Sequence, residues 1–389
     1  MGLKVAILGC GQFSRHFIPL FRVHPLIEKL ALCDMDTKKL NDYANRFKPD
    51  DVFASFDALL DSDYEAVCVF TQPYTHAPLV LKALEAGKHV WSCVPVADSI
   101  DDIERIANAV RARRKIYYNA ETSLFAPDVV FCQKKYRAGE FGRIVYSECE
   151  YYHDWSHLYD VMKERAGDNW ITGAAAPPMW YPSHSVSMIV IVTGAHMTHV
   201  SCMGVMDDNP DGYNIYKPGN MFNNVFSNES ALYTMSDGSV TRHNEFRRIG
   251  HLGATRLSVF GTKGSFENTS YKSAWVTTTD SVDITDQITC DGEKMIDTGA
   301  GAMEGYAPVH DVDILPESFR ADDIFKGHSG AHPFLVHDFL TALSEGNLLP
   351  SNNIWQAARY MIPGLVAHES ALLAGQRLQI PDLGDPKPF

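Results

Sequence analysis

Short apolar runs that end in turn residues alternate with amphipathic stretches through the first third of the chain. Lys4–Leu8 (KVAIL) breaks at Gly9-Cys10-Gly11, an amphipathic stretch follows to about Leu26, and a second apolar run, Leu30–Cys33, ends at Asp34. Val52–Ala54, Ala66–Phe70, His89–Ser92 and Ile116–Asn119 read as further short strands, and Lys38–Arg46, Phe56–Leu60, His76–Ala86 and Ile100–Arg113 as the helices between them. Strands separated by helices are joined by crossovers rather than hairpins, which predicts a parallel, doubly wound sheet.

Beyond Glu121 the rhythm changes. A helix from Pro127 to Ala138 stops at Gly139, and the segments that follow are β-rich: Ile144–Tyr152, Ser201–Val205, Asn223–Phe226, Ala231–Met235, Ser239–Arg242 and Arg256–Phe260. Thr278–Gly327 is polar and weakly periodic and reads as loops with a strand or two, and helices over Pro333–Glu345 and Asn353–Ala374 close the chain. The predicted fold class is α/β: an N-terminal Rossmann doubly wound parallel sheet over residues 1–122, followed over 123–389 by an α+β domain with a large, mainly antiparallel open sheet.

A chain of 389 residues exceeds what one hydrophobic core usually holds, in keeping with two domains. The net charge of −14 argues against nucleic acid and anionic membranes as partners, both of which call for a basic face. No apolar run is long enough to span a bilayer, and the first strand begins at Leu3 with no room for a signal peptide, so a cytoplasmic location is expected. The eight cysteines lie in apolar segments without zinc-site spacing and read as buried, reduced thiols; no metal is expected.

The glycine turn after the first strand carries candidate chemistry. Gly9 and Gly11, with Gln12 and Phe13 beyond them, form a turn that can approach a dinucleotide pyrophosphate, although Ser14 replaces the third glycine of the fingerprint. Asp34, at the end of the second strand, can accept both adenosine ribose hydroxyls and would repel a 2′-phosphate, which favours NAD over NADP.

The segment AVCVFTQPYTHAPLVLKALEAGKHVWSCVP at 66–95 sharpens this reading. It resembles the glucose–fructose oxidoreductase and inositol dehydrogenase family (Gfo/Idh/MocA), whose pattern is a strand, a Thr-Pro turn, a His, Ala-Gly-Lys-His-Val and Glu-Lys-Pro. The likeness runs on through GEFGRI at 139–144, GTKG at 261–264 and the terminal helices. It implies that Thr71, Gln72, Pro73 and His76 flank the ribose and nicotinamide, that Cys93 and Pro95 line the same wall, and that Glu121 lies near the nicotinamide. Each of these could instead cap a helix or shape a turn.

Two departures from that pattern bear on the reaction. Cys93-Val94-Pro95 stands in place of Glu-Lys-Pro, and Trp180-Tyr181-Pro182-Ser183-His184 in place of Asp-x-Gly-x-His, so the lysine and the aspartate are absent while the histidine remains. Oxidising a secondary alcohol needs a base of near-neutral pKa, which makes His184 the first candidate, with Tyr181, Tyr151 or Tyr152 as phenolic alternatives. Tyr151, His153, Trp180 and His328 are candidate substrate contacts; His153-Asp154 could equally form a local turn, and Arg247-Arg248 read as a solvated strand edge, with an anionic sugar substituent as their alternative partner. YPSH at 181–184, Tyr151-Tyr152-His153-Asp154 and GHSG at 327–330 also resemble the NAD-dependent glycosidases that branch from this family.

The expected function is therefore NAD-dependent oxidation of a ring hydroxyl, at C3, of a sugar or glycoside. The alternatives are a redox-neutral NAD-dependent glycosidase and a non-catalytic NAD-binding regulator. Specificity is expected in the loops Ser156–Pro178 and Asp207–Met221, and the resemblance implies a dimer or tetramer.

Overall fold

The structure is a computed structural model that describes residues 2–167, 170–207, 215–292 and 303–387. Within them the first sheet is built from β1 (Leu3–Leu8), β2 (Ile27–Cys33), β3 (Asp51–Phe53), β4 (Ala66–Val69), β5 (His89–Ser92) and β6 (Tyr117–Asn119), in the order β3-β2-β1-β4-β5-β6. Every pairing is parallel. This is the Rossmann order, whose reversal between β1 and β4 opens a crevice at the strands' carboxyl ends. Helices α1 (Ile18–Val23), α2 (Thr37–Phe47), α3 (Phe56–Leu60), α4 (His76–Glu85) and α5 (Ile100–Arg113) form the crossovers. Their ends follow sequence chemistry: the Asp36 carboxylate caps α2 and the Ser99 hydroxyl caps α5.

After α6 (Pro127–Arg137) come β7 (Ile144–Tyr152), the helices α7 (Tyr159–Ala166), α8 (Ile171–Ala174) and α9 (Ser183–Thr193), and then β8 (Met197–Met206), β9 (Phe226–Met235), β10 (Val240–Phe246) and β11 (Ala254–Gly261). The chain continues through β12 (Gly264–Asn268), β13 (Ser273–Thr277), β14 (Ser281–Asp283), α10 (Thr285–Ile288), α11 (Ala331–Glu345), α12 (Ile354–Leu372) and β15 (Leu378–Gln379). The second sheet runs β14-β13-β12-β11-β7-β10-β9-β8-β15 and is antiparallel except where β10 lies parallel to β7. The fold class is the one expected.

Several elements differ from the sequence reading. Asn223–Phe226 and Ala231–Met235 are not two strands, because Asn224 is buried and its side chain bonds the Ala175 and Phe226 carbonyls, turning the chain into the single strand β9. Helix α9 was not foreseen, since it is almost wholly buried and shows no polar face. The hairpin β12–β13 extends the sheet beyond the predicted edge, and of Thr278–Gly327, residues 293–302 lie outside the described residues, as do 168–169 and 208–214 of the expected specificity loops.

The C-terminal helices tie the sheets together. Leu335, Val336, Phe339 and Leu340 of α11 join the core formed by Val5, Ile7, Phe17 and Leu32, so the last part of the chain returns to complete the first sheet. Helix α12 packs on β8, α9 and α5 at once. Among the described residues no helix is long and apolar enough to cross a membrane.

Candidate functional site

A cleft of about 750 Å³ opens at the β1/β4 switch point and runs between the two sheets. Gly9 has a positive φ of 104°, and a Cβ there would stand 2.9 Å from the Phe70 carbonyl oxygen, so the turn admits only glycine. Ser14, in place of the third glycine, is buried and donates to the Gly11 carbonyl at 2.9 Å while Tyr43 donates to the same oxygen at 2.7 Å. The turn is thus fastened by side chains, and it leads into a short 3-10 segment, Ser14–His16, before α1. Asp34 accepts the Cys10 amide at 2.7 Å and the Asp36 amide at 2.8 Å. A carboxylate offers about four acceptor sites, so two remain for a pair of ribose hydroxyls. The glycine cradle and this carboxylate fit a dinucleotide.

The residues implied to flank the cofactor divide into two sets. Gln12, Phe13, Thr71, His76 and Cys93 line the cleft, as does His328, which lies edge-on to Phe13 at 5.7 Å and pairs its Nδ1 with His332 Nε2 at 2.7 Å. Gln72 and Pro73 sit exposed on the turn behind Thr71 and are not part of the lining. His76 is a fastener: its Nδ1 and Nε2 meet the Pro95 and Thr71 carbonyls at 2.8 and 3.1 Å, locking together the loops that end β4 and β5. Burial lowers its pKa against the pull of those two carbonyls. Burial also raises the Cys93 thiol well above its ordinary value, so it is a neutral wall group.

The opposite wall is built from β7, β10, β11 and α9. Glu245, Tyr151 and Thr255 are cross-strand neighbours at one level, and period-two alternation points all three to the same face. His184, in the first turn of α9, faces this row, with Tyr181 at 5.3 Å and Tyr151 at 5.5 Å between ring centres. Fully buried Glu121 accepts from His184 Nδ1 at 2.7 Å and from the Ser123 amide at 2.9 Å. That bond fixes the tautomer and leaves Nε2 as the ring atom free to act as acceptor. Burial opposes the imidazolium, but the Glu121 charge and hydrogen bond outweigh it and hold the His184 pKa above the ordinary value. Burial likewise opposes the Glu121 carboxylate, and His184 overcomes it to leave that pKa lowered.

The phenols behave differently. Burial pushes Tyr181 and Tyr151 well above the ordinary phenol value, and the Tyr151 hydroxyl pairs with His153 Nδ1 at 2.9 Å. Both remain protonated near neutral pH and can donate but not abstract. Tyr152, expected among the catalytic phenols, does not reach the cleft: alternation along β7 turns it to the other face, where it stacks on Phe246 at 5.3 Å. Nor does Trp180, expected as a substrate contact, line the cleft, since it packs against Phe222 and His368. His153 does line the cleft, while Asp154 makes the local turn bond, accepting the Ser156 amide at 2.9 Å.

Arg247 overturns the expectation of a solvated strand edge. It is 1% exposed, donates to Glu245 at 2.8 Å and to the Pro178 carbonyl at 3.3 Å, and lies over the Tyr151 and Trp155 rings. Glu245 also accepts from Ser185 of α9, so a buried ion pair braces the His184 helix against the sheet. The sequence contained a signal, because an acidic and a basic residue stand two apart at Glu245 and Arg247, one in β10 and one just past its end. Residues of the β12–β13 hairpin, Asn268 to Ser273, also line the cleft and were not foreseen. Among the described residues no group of three or more His, Cys, Asp or Glu side chains is placed to hold a metal ion.

Comparison with known proteins agrees with this architecture. Residues 3–121 match the family model GFO_IDH_MocA, described as oxidoreductase family, NAD-binding Rossmann fold. A glycosyl hydrolase family 109 protein of Shewanella sp. (strain ANA-3) is 25% identical over 201 residues, covering 48% of this chain and 43% of that protein. Inositol 2-dehydrogenase 3 of Saccharopolyspora erythraea is 33% identical over 116 residues, 30% of this chain and 34% of that one. The chain thus spans less than half the length of these two relatives. A levoglucosan dehydrogenase solved in complex with NADH and levoglucosan superposes with a TM-score of 0.77 at 17% identity, over 98% of this chain and 100% of that one, and so shares the fold.

Proposed function

The chain carries the NAD-binding Rossmann domain of the Gfo/Idh/MocA oxidoreductases, and on that premise we propose that it oxidises a ring hydroxyl, at C3, of a sugar or glycoside. When bound, NAD+ supplies the acceptor for the hydride that leaves the substrate carbon. The observation that carries the reading is the His184–Glu121 pair in the cleft wall. In it, His184 Nε2 takes the proton of the reacting hydroxyl as the carbon becomes a ketone, and Glu121 steadies the imidazolium so formed. Tyr181 and Tyr151, held as phenols, donate hydrogen bonds to substrate oxygens, and His153 orients Tyr151. Gly9, Gly11 and Asp34 hold the adenosine and pyrophosphate portion, and Thr71, Phe13 and Cys93 the wall beside the nicotinamide.

A second reading has its own support. The chain has a neutral thiol and no lysine at Cys93-Val94-Pro95, and its relatives include glycosyl hydrolase family 109 proteins. In a redox-neutral glycosidase the same oxidation would acidify the neighbouring carbon, the aglycone would be eliminated, water would add, and the ketone would be reduced again. Incubating the protein with a panel of glycosides, with and without added NAD+, separates the readings. NADH accumulating with substrate and no cleavage establishes the dehydrogenase, and repeated cleavage without accumulation establishes the glycosidase. Silence in both channels, with NADH still bound, would overturn both in favour of a regulator.

A further inference from the structure

The cleft does not end at His184. It continues past Thr255 to a lobe walled by the N-terminal turn of α6, the β12–β13 hairpin and α10. Its floor carries Asp128, which is 8% exposed, with Asn268 Nδ2 standing 3.4 Å from its carboxylate. A donor and an acceptor side by side in a recessed wall are suited to reading neighbouring hydroxyls. Asn268 is itself held in place, since its amide donates to Ser258 and its side-chain oxygen accepts from Ser273 at 3.1 Å.

At the mouth stands Tyr271, 94% exposed on the hairpin tip yet part of the cleft lining. The tip is a built turn: Thr269 donates its amide to the Lys272 carbonyl at 3.0 Å and accepts the Tyr271 and Lys272 amides on its hydroxyl. The Ser270 hydroxyl pairs with His251 Nε2 at 3.1 Å, which anchors the tip to the loop before β11. An exposed aromatic ring beside a polar recess can offer an apolar face to a flat ligand while the recess binds its polar rim. Lys272 at the tip is matched by the Asp128 carboxyl on the floor, so the lobe has no excess of positive charge to select an anion and is suited to a neutral, hydroxylated ring.

We infer that this lobe is an outer subsite for a second sugar, so that the substrate is a glycoside whose aglycone is itself a pyranose, with Tyr271 as platform and Asn268 and Asp128 as hydroxyl partners. The inference rests on the reading of the His184 end as the place of reaction. Burial raises the Asp128 carboxyl to about 6, against the Val129 amide that lowers it, and a bound hydroxyl would offset part of that desolvation.

The test compares kcat/KM for the methyl glycoside, the phenyl glycoside and a disaccharide of one sugar, in wild type, Tyr271→Ala and Asn268→Ala. The wild type should favour the disaccharide, and both substitutions should lower its kcat/KM about tenfold, the scale of one stacking or hydrogen-bond contact, while leaving the methyl glycoside nearly unchanged. Tyr271 is a surface residue, so its variant reports even if Asn268→Ala disturbs the hairpin. Loss in Tyr271→Ala confined to the phenyl glycoside, with Asn268→Ala silent, would overturn the second-sugar assignment in favour of an aryl aglycone. Equal turnover of the methyl glycoside and disaccharide, unchanged by either substitution, would overturn the subsite and leave the reaction standing. A wild type that oxidises and cleaves none of the three would overturn both.

Discussion

At the scale of single residues, His184 and its buried carboxylate partner carry the proposed proton transfer. A base must be neutral to accept a proton, so the rate of oxidation should rise with pH through the His184 pKa, which Glu121 holds above the ordinary imidazole value. Glu121→Gln removes that charge, and the acid limb of kcat/KM against pH should move to lower pH; an unmoved limb would count against the pair. The same pair bears on stability. The His184 contribution is complete below the unfolded imidazole pKa and is lost as pH rises through the raised folded value, whereas the Glu121 contribution is complete above the unfolded carboxylate pKa and is lost as pH falls through the lowered one. The Tm difference between wild type and Glu121→Gln should therefore be largest in mildly acidic solution and shrink toward alkaline pH. His184 was readable from the YPSH motif and Glu121 from the family resemblance, but their pairing was not, because they lie 63 positions apart and only the packing of α9 brings the two together.

At the scale of elements, the first sheet was legible because β1, β2, β4 and β5 are short apolar runs that end near Gly9, Asp34, Pro73 and Pro95, and such punctuation survives without tertiary context. Helix α9 was not legible, since Val186 to Val192 is almost wholly buried, with only Ile191 partly exposed, and has no polar face to mark a period of 3.6. Tyr152 was misplaced for a related reason: in EYY two adjacent tyrosines must face opposite sides of a strand, and only the pairing with β10 and β11 tells which faces the cleft. Arg247 now braces β10 against the turn before α9. Removing one partner leaves a buried charge unmatched, so Arg247→Ala should lose about 3–5 kcal/mol of stability. The double substitution Glu245→Gln with Arg247→Met should lose less than Arg247→Ala alone. Denaturant unfolding of both variants measures this, and a single variant as stable as the double would contradict the brace.

At the scale of the whole molecule, the two sheets that wall the cleft are tied together by helices from the end of the chain. The return of α11 to the first sheet was beyond the reach of local pattern, which shows an apolar helix but not the surface it will cover. The outer face of the second sheet leaves Met203, Val205 and Leu232 more than half exposed on adjacent strands. A second copy covering that face would account for the dimer or tetramer that the family resemblance implies, and Leu232→Glu should then shift the mass found by light scattering toward the monomer, whereas a wild type already monomeric would refute it. Oxidation of C3 of a sugar ring by His184 and NAD+ together can be followed by single-turnover mixing of the NAD+-loaded protein with a glycoside carrying deuterium at C3. NADH absorbance should appear more slowly for the deuterated glycoside than for the unlabelled one and should not appear in His184→Ala. Full-speed NADH formation in His184→Ala, or a slowing that follows deuterium at another ring carbon and not at C3, would contradict this assignment.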